Sequence, residues 1–161
     1  VEETPGIVYK PLFSYEMVGL CAKDHPLAAK EVWQAEDFID QTLITYPVPD
    51  DMLDLLRKVL HPKGINPTRR TSELTIAIIQ LVASKRGVAA LPFWAAKPYL
   101  DRGYIVARKI TEQGLHSNLY AATRELDSQM AFVDDFYETV KAQSFSTLPE
   151  LSILEEISLY V

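Results

Sequence analysis

A single cysteine, Cys21, leaves this chain without an internal disulfide framework and suits a reducing compartment. Long apolar runs are missing too. The longest, around Val88 to Ala96, falls far short of the roughly 20 residues a helix needs to cross a bilayer, so no membrane partner is expected. There is no Lys/Arg-rich stretch, and the formal charge over 161 residues is −6. Such a chain carries no electrostatic footprint for nucleic acid, and any DNA contact is expected to come from elsewhere. Also absent are an initiating methionine, a basic n-region and an apolar h-region. The start at Val1 reads as a cut, with no export signal in view and a cytoplasmic location expected. No nucleophile-and-base pair or metal-ligand spacing stands out, so the chain is expected not to be an enzyme and to need no cofactor. What is present is core: 48% of residues are hydrophobic, which excludes a largely disordered chain and fits one compact unit or two small lobes.

The most informative stretch is Ser84-Lys85-Arg86-Gly87-Val88-Ala89-Ala90-Leu91-Pro92-Phe93-Trp94. It reads as an apolar helix stopped by glycine, a short strand, and a second helix opened by proline. Val88 to Leu91 shows no polar alternation, as expected of a strand covered on both faces. Upstream, Leu12 to Ala22 alternates and then turns apolar, a strand entering a core, and Leu43 to Tyr46 is a second strand stopped by Pro47 and Pro49. Asp51 is placed to cap a helix from about Met52 to Leu60, with Leu53, Leu56 and Leu60 on one face and Arg57 and Lys58 outside.

Thr68 to Thr71 is expected to be a strand, and Ser72 to cap a helix through Arg86 so apolar that it must be buried on most sides. A helix over Phe93 to Arg102, strands over Tyr104 to Ile110 and Leu119 to Thr123, and a helix over Ser128 to Ala142 follow. The last would turn Phe132, Val133, Phe136, Tyr137 and Val140 inward. Strands alternating with helices imply right-handed crossovers and a mostly parallel sheet, the α/β class.

In such sheets ligands bind beyond the carboxyl ends of the strands. Here those ends are Thr45-Tyr46-Pro47, Thr71-Ser72 and Leu91-Pro92-Phe93-Trp94. Each precedes a helix whose first N–H groups favour an anionic group on the ligand. Ser72 is an N-cap under any function, and Phe93 and Trp94 are equally at home in a core, so the place is better defined than any one residue.

The remaining polar groups read as structure. Cys21 and His25 are four apart, but the strand before Pro26 argues against a shared helix face and hence against a metal. His61 and His116 sit beside loops. The doublets Asp50-Asp51, Asp134-Asp135 and Glu155-Glu156 read as caps and solvated faces before acid/base pairs. Arg57, Lys58, Lys63, Arg69 and Arg70 form a basic cluster without interleaved aromatics, a solvent face.

His25-Pro26-Leu27-Ala28 after an apolar strand, then the Leu43 to Pro47 strand, then an apolar helix running into Arg86-Gly87-Val88-Ala89-Ala90-Leu91-Pro92, resembles the effector-binding domain of LysR-type transcriptional regulators. Leu43 to Val48, Leu60 to Pro67, Leu91 to Trp94 and Ser117 to Arg124 narrow the resemblance to the methionine-biosynthesis regulators of that family, which implies homocysteine as a small-molecule coactivator. The similarity covers roughly Leu12 to Ser144. It implies a periplasmic-binding-protein-like, two-lobed Rossmann-type fold with the effector between lobes, the second lobe nearly complete and the first partial.

On that reading residues 1–22 are part of lobe one and the first crossover strand, and 23–116 are lobe two. Residues 117–149 are the second crossover strand and a lobe-one helix, and 150–161 are a tail outside the pattern, with Ile153, Leu154, Ile157 and Leu159 in helical spacing. The resemblance further implies a homodimer or homotetramer, and DNA contact only through an N-terminal winged helix-turn-helix absent from this chain. The other classes open are a transporter's solute-binding protein for a small amino-acid-like ligand, which would carry an export signal, and a small-molecule enzyme, which would need charged catalytic groups at the strand ends.

Overall fold

A computed structural model describes residues 4–154 of the chain. Its strands are β1 (Ile7–Cys21), β2 (Val32–Trp33), β3 (Thr42–Thr45), β4 (Thr68–Thr71), β5 (Val88–Pro92), β6 (Val106–Ile110) and β7 (Leu115–Arg124). Its α-helices are α1 (Thr75–Ala83), α2 (Phe93–Asp101) and α3 (Ala131–Thr147). Residues Glu16–His116 form one compact unit, and the remaining described residues form the other. Of the tail, Ile157 and Leu159 lie outside the described residues.

In the larger unit the sheet order is β2-β6-β1-β5-β3-β4, with β7 pairing β1 off this path. β3 is parallel to β4 and β5, and β2 to β6, as crossover connections dictate. β1 corrects the mostly parallel expectation. It runs antiparallel between β5 and β6, because no crossover helix within this unit precedes it and sets its direction.

β5 explains the sandwich. Val88 and its neighbour Ala90 pack with Leu43, Leu55, Leu56, Leu60 and Phe38 on one face. Ala89 and Leu91 pack with Ile44, Ile78, Ile79 and Val82 on the other. Period-two side chains that are apolar on both faces need a layer on each side, and both layers are present. Two glycines are fixed by contact. A Cβ on Gly87 would lie 2.3 Å from the Thr42 carbonyl oxygen, and one on Gly19 would lie 2.4 Å from the ring of Trp33, which is fully buried and donates its indole N–H to Leu27 O at 2.9 Å.

Several local expectations change. Asp51 caps no helix: it lies in a 3-10 turn, Asp50–Met52, and a π-helical segment, Leu55–Leu60, follows. Leu56 and Leu60 are buried as expected, Leu55 and Val59 are buried with them, and Leu53, which precedes the segment, is partly buried against the same core. α1 begins only at Thr75. Its N-cap position is held by Leu74, and Ser72 stays on the ladder end, its backbone N–H donating to Thr45 O at 2.9 Å.

The other end of α1 closes at Ser84. Lys85 adopts φ 59° and the Arg86 N–H bonds Leu81 O, the usual way a left-handed residue ends a helix. Only one face of α1 is buried, through Ile78, Ile79 and Val82, while Leu74 and Ile76 are exposed.

The smaller unit has a modest core of Leu12, Phe13 and Tyr137, with Tyr15, Ala121, Val140, Leu148 and Leu151 against it. Ser14 and Ser152 exchange both backbone hydrogen bonds at 2.9 Å, which ties the start of the tail to β1. The inward set expected of α3 holds for Tyr137 and Val140 but not for Phe132 and Phe136, which are 67% and 70% exposed. These two rings flank an open apolar groove of about 460 Å3 with Val133, Ala121 and Tyr137, because nothing among the described residues covers that side of α3.

Candidate functional site

β3 and β4 end level with each other, Thr45 paired in register with Thr71. β5 ends beside them at Pro92, which sits opposite Met17 of β1. This edge is where parallel strands deliver their carboxyl ends, and two helices open on it. α1 has no side-chain cap at Leu74 and α2 none at Pro92, so neither helix N-terminus has a side-chain acceptor of its own. Orphan N–H groups carrying the positive end of a helix dipole are receptors for an anion.

The side chains around the edge are joined in a defined way. The Tyr46 hydroxyl lies 2.6 Å from Thr75 Oγ1, the first residue of α1, so the β3 end and the helix opening share a hydroxyl pair. Thr45, nearly buried, accepts a hydrogen bond at 2.9 Å from the Arg69 guanidinium, which also pairs with Asp50. Tyr46 and Phe93 both pack against the core cluster on the α1 and α2 side of the sheet. Tyr46 also borders a small, largely apolar cavity, with Met17, Leu43, Thr45, Leu53 and Ala90 among its walls.

Of the eight residues expected at the site, Thr45 and Ser72 are joined by a backbone hydrogen bond, Tyr46 follows Thr45 and pairs with Thr75, and Phe93 packs against the same core cluster as Tyr46. Pro92 opens α2. Thr71 and Pro47 are exposed at the ends of β4 and just beyond β3, and Trp94 is half-buried in the first turn of α2. Thr75, Met17 and Arg69 belong to the edge as well and have no local signal beyond a threonine opening an apolar run, an apolar strand residue and a basic strand residue.

The other polar groups are occupied. Asp54 holds both Arg57 and Lys58, Glu36 holds Lys63 at 2.9 Å, and Asp50 holds Arg69, so most of the basic cluster is neutralised in place. The Lys63 hydrogen bond keeps the exposed Glu36 carboxyl below its usual range, and Lys85 does the same for Asp24. His25 Nδ1 accepts the Leu27 N–H at 3.1 Å, capping a 3-10 turn. Burial pushes the Cys21 thiol up to about 11 against the opposing pull of Arg108, which keeps it protonated and inert at neutral pH.

A mixed sheet with helices on both faces and uncapped helix openings at its strand ends defines a ligand-binding α/β domain, and the chain belongs to the LysR substrate binding domain family, which its residues 1–144 match. Within that family it is similar to the HTH-type transcriptional regulator MetR. It is 67% identical to MetR of Haemophilus influenzae over 154 residues, 96% of this chain and 50% of that protein. It is 37% identical to MetR of Escherichia coli K12 over 144 residues, 89% of this chain and 45% of that protein. The chain thus spans about half the length of the curated relatives it matches.

Among solved structures, the MetR regulatory domain from N. meningitidis superposes with a TM-score of 0.91 at 61% identity, over 96% of this chain and 72% of that one. The reduced OxyR regulatory domain from Pseudomonas aeruginosa shares the fold alone, with a TM-score of 0.72 at 22% identity over 88% and 69% of the two chains. The fold is the periplasmic-binding-protein-like α/β fold of these regulatory domains.

Proposed function

We propose that this chain is the effector-sensing part of a LysR-type regulator of methionine biosynthesis, and that it binds homocysteine as a coactivator at the edge formed by Thr45, Tyr46, Pro47, Thr71, Ser72, Pro92, Phe93 and Trp94. The observation that carries the reading is the uncapped start of α1 beside the Tyr46–Thr75 hydroxyl pair. An amino acid's carboxylate supplies the acceptor that Leu74 cannot, and the hydroxyls of Ser72 and Thr75 lie next to it in the chain. The strength of the match to MetR regulators supports homocysteine as the particular amino acid.

On this reading residues 23–116 are the effector lobe, 1–22 and 117–149 supply crossover strands and part of lobe one, and the tail from 150 is an appendage. The intact cytoplasmic regulator is a homodimer or homotetramer that meets DNA through a helix-turn-helix outside this chain, and effector binding changes that contact. Saturation at a hundred times the dissociation constant stabilises a domain by about 2.7 kcal/mol. Calorimetry on the full-length regulator should show binding of homocysteine. Heat with methionine or cysteine and none with homocysteine would overturn the assignment.

A further inference from the structure

The segment Leu55–Leu60 is bounded by two kinds of helical hydrogen bond. Leading into it, the Arg57 N–H bonds Leu53 O at 2.9 Å, four residues back; leaving it, the His61 N–H bonds Leu56 O, five back. The second ring holds one residue more than the first, and π turns of this kind are rare and recur at functional sites. Closing that turn to the α spacing rotates the residues on either side of it, which needs space for their side chains. Space is at hand: Leu53, Leu55 and Leu56 line a cavity of about 30 Å3 with Leu43 and Ala90, room for about two water-sized groups.

The segment is also tied to two other elements. On one side, Thr45 Oγ1 at the strand-end edge accepts from Arg69 at 2.9 Å, and Arg69 pairs with one carboxylate oxygen of Asp50. The other oxygen of Asp50 lies 3.6 Å from Nε2 of His61, the residue that closes the segment. On the other side, Asp54 holds Lys58 at 3.1 Å, and Lys58 donates to His116 O at 2.8 Å. His116 stands in β7 and is the last residue of the larger unit, just before the chain passes into the smaller one. Exposed charge pairs add little to stability. A continuous path from a ligand edge to a crossover strand, through a helix with two registers open to it, does suit a switch.

We propose that Leu55–Leu60 is the element that reports the effector: occupation of the Thr45 edge shifts it between π and α registers through Arg69, Asp50 and His61, and Lys58 carries the shift to β7. The proposal rests on the reading of that edge as the effector site. In the α register the His61 N–H bonds Arg57 O in place of Leu56 O. Asp50 and Lys58 act through other residues, as positioning groups.

Hydrogen exchange on the full-length regulator, with and without reduced homocysteine, reads each link, because amides change protection when their hydrogen bonds change. Couplings between sites are typically worth about 5- to 150-fold. In the wild type homocysteine should alter exchange by at least about fivefold in residues 53–65, the His61 amide included, and in 115–124. Asp50→Ala should still bind homocysteine by calorimetry and lose both responses. Lys58→Met should keep the response in 53–65 and lose that in 115–124, and Lys58→Arg should restore it. Both side chains are exposed, circular dichroism confirms folding, and Asp50→Asn replaces Asp50→Ala if the latter is not folded.

Homocysteine binding with no change in 53–65, or either variant responding like wild type in both regions, overturns the switch while leaving the effector edge standing. No homocysteine binding by the wild type overturns the effector reading and the switch with it.

Discussion

Replacing Ser72 with alanine separates two roles that a serine before an apolar helix could have. If the hydroxyl capped α1, its loss would cost about 1 kcal/mol of stability. The structure removes that role: the N-cap position is Leu74, and the bond that fixes Ser72 is its backbone N–H to Thr45 O at 2.9 Å, which alanine keeps. The expected change in stability is therefore that of an ordinary surface substitution, within about 0.5 kcal/mol. Effector affinity should behave differently. A hydrogen bond to a charged group is worth about 1.5–3 kcal/mol, and at 1.4 kcal/mol per factor of ten this is a loss of about 10- to 150-fold in binding. Urea unfolding gives the first quantity and calorimetry with homocysteine on the full-length regulator the second. A loss of 1 kcal/mol or more in stability with unchanged affinity would return Ser72 to a purely structural role and refute the reasoning.

Gly19→Ala should cost about 1–3 kcal/mol, because the new methyl meets the Trp33 ring at 2.4 Å and Trp33 is held by Leu27 O and by edge-to-face packing on Phe38; thermal unfolding within 0.5 kcal/mol of wild type would show that the ring can move. Cys21 sets an alkaline limit. Its thiol is raised from 9.0 to about 11 in the folded state, so its contribution is fully present below pH 9 and is lost as pH rises from 9 towards 11. Wild type should lose about 2–3 kcal/mol more than Cys21→Ala over that window, and parallel pH profiles of the two would contradict this. The exposed rings of Phe132 and Phe136 should make the 161-residue chain self-associate at micromolar concentration. Sedimentation velocity should shift towards monomer for Phe136→Lys, and a clean wild-type monomer would dismiss the patch.

The sheet was the most legible part of the molecule, because the unalternating Val88 to Leu91 run has one physical source, a layer on each face, and both layers exist. The direction of β1 was hidden, since period-two patterning says which face a residue takes and nothing about which way a strand runs. The π-helical segment was misread as well. The stripe expected there began at Leu53, which lies before the segment, and left out Leu55 and Val59, which it buries with Leu56 and Leu60.

At the site, strand ends followed by helices located the edge, whereas its internal links were out of reach. Tyr46 and Thr75 stand 29 positions apart, and no local spacing announces that their hydroxyls meet. The cap rule took Ser72 because it is the nearest hydroxyl before an apolar run, while the β3–β4 ladder holds that backbone back and hands the N-cap position to a leucine. Phe132 and Phe136 follow the amphipathic stripe of α3, yet a stripe becomes core only where something packs against it.

The central claim is that the start of α1 receives the carboxylate of an amino-acid effector, and removing that carboxylate tests it most directly. Calorimetry on the full-length regulator should compare reduced homocysteine with 3-aminopropane-1-thiol, the same molecule without its carboxylate. The account predicts that homocysteine binds and that the carboxylate-free amine binds at least about tenfold more weakly, the loss of one charge-assisted contact. Equal affinity for the two, with homocysteine binding intact, would contradict it.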